Sequence, residues 1–272
     1  MANEVRIHVT ADTEQAEKSL GGLGGTLGSV GKIATGFLAA NVVQSAIGSV
    51  TAFASESIKA ASSLGESLNA VNVVFKESSQ QVLDWGKNNA TQFGLSQRAF
   101  NELATPLGAM LKNSGMSLDA TASTTINLTE RAADMASVFN TDVKDALAAI
   151  TAGLRGEADP LERYGVKLSA AAVEAKALAD TGKATAKSLT DQELAAARVA
   201  LIFDQTKAVT GDFKNTSDGL ANSQRIAAAE METLQAQVGE KMLPAMLELT
   251  KVKMALAKVV VDYLLPAMDA IG

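Results

Sequence analysis

The sequence predicts a mainly α protein: elongated helical segments, opened by one short strand and closed by a coiled-coil-like helix. Apolar residues make up 47% of the 272, yet only 4% are aromatic. The apolar share is therefore mostly Ala, Leu and Val, which build narrow helix seams better than a thick core. Apolar positions recur at steps of three and four over long stretches, most regularly after Ser217. Ser, Thr or Asp before such runs and Gly after them supply the start and stop signals of helices.

Four regions follow in order. In 1–28, Val5, Ile7 and Val9 alternate with Glu4, Arg6, His8 and Thr10, the period-2 pattern of a half-buried strand. Asp12 then caps a helix from Thr13 to Leu20, which Gly21-Gly22-Leu23-Gly24-Gly25 interrupts. Region 29–55 holds an uncharged stretch from Ile33 to Ser55, long enough to span a bilayer as a helix. Thr35, Asn41, Gln44, Ser45, Ser49 and Thr51 dilute it, and its many Gly and Ala residues keep it weakly hydrophobic. It reads either as an Ala/Gly-rich helix packed on copies of itself or as a membrane-active segment, helped by Gly24 and Gly28 at i, i+4 spacing.

Region 56–215 is a series of helices with short breaks. Ser96 opens a helix through Phe100, Leu103 and Leu107, which Pro106 is expected to bend and Ser114-Gly115 to end. Ser117 opens the next, towards Asn140; Ile126, Leu128, Ala132, Met135, Ala136 and Phe139 give it an apolar stripe and leave a solvated face. Asn140 or Thr141 caps a third, Asp142 to Leu154. A hinge over 153–166 comes next. There a helix ends at Gly153 or Gly156, and Asp159 as N-cap, Pro160 at the first helical position and Glu162 as capping-box partner begin a short helix stopped by Gly165. Ser169 to Ala179 is helical and 180–185 is a polar linker. Thr190-Asp191-Gln192-Glu193 is a capping box opening a helix through Ala208, and Gly211-Asp212 breaks the chain again.

Region 216–272 carries the coiled-coil-like helix. Met231, Leu234, Val238, Met242, Ala245, Leu249, Val252, Leu256, Val259 and Tyr263 form one seam, which buries itself only against a partner helix. Its irregular step, at Gly239 and Pro244, reads as a four-residue stutter with a kink.

Chemistry is sparsely represented. Net charge is −6 with no clustered Lys and Arg, so no nucleic-acid binding is indicated. There is no cysteine, and His8 is the single histidine, which leaves no plausible catalytic triad or thiolate metal site. The run Gly25 to Ile33 is not a phosphate-binding loop: Gly25 stands one residue too far from Gly31-Lys32, and Ile33 replaces the metal-binding Ser or Thr. The acidic turn of Glu157, Asp159 and Glu162 is explained by capping and by pairing with Arg155 and Arg163 better than by an acid and nucleophile straddling a sugar. No catalytic, cofactor or metal residue is expected, and the N-terminus has no signal-peptide pattern, so synthesis in a cytoplasm is expected.

The hinge, Gly153-Leu154-Arg155-Gly156-Glu157-Ala158-Asp159-Pro160-Leu161-Glu162-Arg163-Tyr164-Gly165-Val166, resembles the Gly-Leu-x-Gly-Glu-x-x-Pro-Leu-x-x-aromatic-Gly pattern of bacteriophage tail tape measure proteins. Tyr164 stands where Phe is commoner. Upstream, Asp134-Met135-Ala136-Ser137-Val138-Phe139-Asn140 is similar to a block of that family. Downstream, Leu168-Ser169-Ala170-Ala171, Leu189-Thr190-Asp191-Gln192-Glu193, Gly211-Asp212-Phe213, Thr216-Ser217-Asp218 and Gly239-Glu240 with Leu243-Pro244 follow in the family's order. The N-terminal strand-to-helix start and the Gly-rich patch also resemble it.

The resemblance implies a helical rod of several copies, three or more, around which the tail tube polymerises and whose length sets tail length; the residues themselves give no reason to expect an enzyme. It implies tail assembly chaperones, tube proteins and baseplate or tail-tip proteins as partners, and residence in the virion tail lumen after assembly in the host cytoplasm. It further implies expulsion towards the host envelope at genome ejection, with host-membrane contact. At about 1.5 Å per residue the chain would reach roughly 400 Å if wholly helical, short for a ruler, so it is expected to be the N-terminal part of a longer polypeptide or a processed chain. The alternative expectation is a membrane-active, pore-forming or envelope-penetrating helical protein acting through 29–55.

Overall fold

Helix α1, Val43–Phe75, opens the part of the chain that the computed structural model describes, residues 43–259. The expected strand, the helix to Leu20, the Gly-rich patch, the first half of 29–55 and Tyr263 lie outside the described residues. Within them every regular element is helical. A 3-10 turn, Lys76–Ser78, joins α1 to α2, Ser79–Asn88, and a second, Ala90–Phe93, leads to α3, Gln97–Asn113. There follow α4, Leu118–Val138; α5, Val143–Arg155; α6, Asp159–Glu162; α7, Ala170–Thr181; α8, Asp191–Gln205; α9, Asp212–Asn215; and α10, Leu220–Val259.

Side-chain caps set several of these starts. The Ser96, Ser117 and Ser169 hydroxyls accept from the backbone N–H of Ala99, Ala120 and Ala172. At Thr190 both capping-box bonds form: Glu193 N–H donates to Thr190 Oγ1, and Thr190 N–H donates to Glu193 Oε2 at 2.7 Å. Other boundaries differ from the sequence reading. Helix α5 takes Asp142 as its N-cap, without a side-chain bond, because Asn140 already turns the chain at a positive φ of 49°. Helix α7 absorbs part of the expected polar linker and stops at Gly182, whose φ of 68° closes it. Helix α8 ends at Gln205, and the expected run to Ala208 becomes a 3-10 turn, Lys207–Val209. Helix α3 continues through the exposed Pro106.

The chain divides into two units, residues 63–234 and residues 1–62 with 235–272. Residues 63–234 do not form the thin seam that composition suggests. They pack around one core in which α4 is central, flanked by α2, α3, α5 and α9. All the aromatic residues except Phe37, Phe53 and Tyr263 fall in this unit. Phe75, Phe100 and Phe213 are fully buried, and Trp85 packs on Phe93 and Phe100 with centroids 5.6 and 4.6 Å apart. Average composition hid this concentration. Each such Phe contributes about 1.5–3 kcal/mol by burial. The rings fit because glycine faces them: a Cβ on Gly108 would enter the Phe75 ring, and one on Gly86 would enter that of Phe100.

Helix α4 has the apolar stripe and solvated face expected of it, with one local exception. Asn127 and Val138 are exposed and Glu130 and Arg131 half-buried, but Ala132 to Ala136 are all buried, so the solvated face is interrupted at Asp134.

In the other unit, Gly239 on α10 has a packing role. A Cβ on Gly239 would strike the Ser57 carbonyl oxygen and the Ala61 side chain, so here the backbones of α1 and α10 approach closely. Ser57, Ala61, Ala236 and Met242 are buried. Helix α10 runs unbroken past Gly239 and Pro244. The coarse expectation of a mainly α protein stands. Among the described residues no helix is long and apolar enough to cross a membrane.

Candidate functional site

The hinge is a closed corner. Helix α5 ends in a Schellman motif: Gly156 N–H donates to the Gly153 carbonyl and Glu157 N–H to that of Ala152, both at 3.0 Å, with Gly156 at φ 100°. Helix α6 ends the same way, Gly165 N–H bonding the Glu162 carbonyl at 2.9 Å and Val166 N–H that of Leu161 at 3.2 Å, with Gly165 at φ 76°. Both glycines thus hold a left-handed conformation that L-residues adopt at a cost of about 1–2 kcal/mol. Gly153 is required for another reason: a Cβ there would run into Leu161. Leu154, Leu161, Tyr164 and Val166 are buried, while Gly156, Glu157, Pro160 and Gly165 are exposed.

The expected capping box does not form. Ala158 is the N-cap and is already helical at φ −74° and ψ −28°, which puts Asp159 inside the helix, one residue too late to cap it. Nor do Glu157, Asp159 and Glu162 pair with Arg155 or Arg163; the ion pairs of this unit lie elsewhere. Arg163 instead lies over the Tyr164 ring, 5.1 Å from its centroid. The corner is held by backbone bonds at its two ends and by Leu161 and Tyr164 between them.

Tyr164 links the corner to the end of α4. Its ring meets that of Phe139 edge-on at 5.4 Å, and its hydroxyl lies 3.1 Å from that of Thr141. One turn earlier on α4, the buried Asp134 carboxylate accepts two backbone bonds, from Gly211 N–H at 2.8 Å and Phe213 N–H at 3.1 Å. Burial pushes Asp134 above the ordinary carboxylate range. The two N–H donors and Arg131 oppose that shift, and Asp212 adds to it. Gly211, at φ 81°, turns the chain so that both N–H groups face one side chain. Phe213 follows directly into the core.

A second tier of bonds covers this contact. Ser137 Oγ donates to Asp212 Oδ2 at 2.6 Å, and Asn222 Nδ2 donates to Ser137 Oγ and to Thr216 Oγ1 at 2.8 and 2.9 Å. Arg225 donates to Asn222 Oδ1 and to the Thr141 carbonyl, at 2.6 and 3.0 Å. These groups line a hollow of about 250 Å³. Beside it a groove of about 790 Å³ lies between the start of α3 and the start of α10, walled by Arg98, which pairs with Glu102 and Glu232. The donors and acceptors of the node largely satisfy one another, so it works as a clasp that fastens 211–225 over the end of α4.

Three sequence blocks, 134–140, 153–166 and 211–218, therefore meet around the C-terminal end of α4. The seam on α10 does not present one uniform face. Met231 and Leu234 are 55% and 54% exposed, Val238 and Ala245 are half-buried and Met242 is buried. Leu249, Val252, Leu256 and Val259 also lie on α10. The line that packs in this helix runs instead through Asn222, Ala229, Ala236 and Gly239.

Asp134 and Asn222 carry more of the clasp than sequence reasoning assigned them. The signal for Asp134 is a carboxylate set between Ala133 and Met135 on an otherwise apolar stripe, where it must find donors. Asn222 has no comparable signal, since its partners come from two other elements. Comparison with protein-family models, with curated proteins and with solved structures gives no match.

Proposed function

We propose that this chain is a structural tail tape measure protein of a bacteriophage or prophage, or the N-terminal part of one. It templates tube assembly, sets tail length and takes part in genome ejection. The observation that supports this reading is the convergence of the 134–140, 153–166 and 211–218 blocks on one clasp. Residues with that much in common in space have a shared reason to occur together in a family pattern. In this reading the unit 63–234 is a folded docking body and α10 leads into the self-associating seam. The seam gathers three or more copies in a coiled coil, and the N-terminal Val5 to Val9 segment supplies the short strand.

The partners are then tail assembly chaperones before polymerisation, with tube and baseplate or tail-tip proteins afterwards. The chain lies in the tail lumen and has no catalytic or cofactor-binding role. The membrane-active alternative draws only on the composition of 29–55. Sedimentation of the full chain across a concentration series tests the seam: an oligomer of three or more copies is expected, and a strict monomer at the highest concentration contradicts the reading.

A further inference from the structure

We draw no further inference here: the strongest candidate, the exposed apolar stripe of Leu220, Met231 and Leu234 on the first half of α10, carries nothing beyond the self-association already proposed, because nothing in the structure shows what covers it.

Discussion

Replacing Asp134 with Ala removes the one side chain that satisfies both Gly211 and Phe213 N–H groups. Phe213 is fully buried and water does not replace the lost acceptor there. Each hydrogen bond to a charged group contributes about 1.5–3 kcal/mol, and each buried N–H left unmet costs about 1–3 kcal/mol. Against this, the variant no longer buries a carboxylate, a cost visible in the upward shift of Asp134. The net loss expected is about 2–4 kcal/mol, read as a lower urea midpoint at unchanged slope. Asp134→Asn should lose nearly as much, because an amide offers one acceptor and turns its own N–H₂ on the second donor.

The pH dependence has a definite sign. A carboxyl raised in the folded state contributes stability that is complete below the ordinary carboxylate range and is lost as pH rises through its folded value. The Asn variant should lack that component of the wild-type profile. A stability change for Asp134→Ala within about 0.5 kcal/mol, typical of an unremarkable surface substitution, would refute the clasp.

Other predictions follow from the backbone and the capping chemistry. Gly156→Ala and Gly165→Ala should each cost about 1–2 kcal/mol in chemical denaturation through backbone strain alone, since no side chain crowds Gly165; two neutral substitutions would remove the tandem-motif account. Gly239→Ala should cost about 1–3 kcal/mol by overpacking, with faster amide exchange near Ser57 and Ala61 as its local signature. Exchange left unchanged would mean that the two backbones are not in contact. Glu193 is held below its ordinary range by its bond with Lys183 and then by Thr190 N–H. Its stabilising effect relative to Glu193→Gln should therefore be present at neutral pH and disappear as pH falls through the carboxylate range; a pH-independent difference contradicts that pairing.

The parts of the fold legible in the sequence are those decided within one helical turn. Ser96, Ser117, Ser169 and Thr190 cap because their partners lie three residues on, and Gly165 stops α6 because its φ is a local demand. The short hinge helix takes its cap one position before the residue that its sequence pattern marks. Ala158 enters the helix early, because the Schellman motif at Gly156 has already set the direction of the chain.

Burial was less legible. In α4, the apolar period marks Ala132, Met135 and Ala136 as the packed side but does not show that Asp134 is enclosed with them. In α10 the larger Met231 and Leu234 point outward while Ala229, Ala236 and Gly239 are buried. Close approach of backbones selects small residues, and a search for bulky apolar positions passes over them. The clasp was half visible: its blocks could be listed from sequence, but their meeting depends on a turn at Gly211 and on partners far apart in the chain.

Tail length is the most direct test of the structural reading. Inserting about 70 residues as whole heptads after Thr250, in frame in the native polypeptide, should lengthen assembled tails by about 105 Å at the helical rise per residue. Electron microscopy of assembled tails at unchanged length contradicts the proposal.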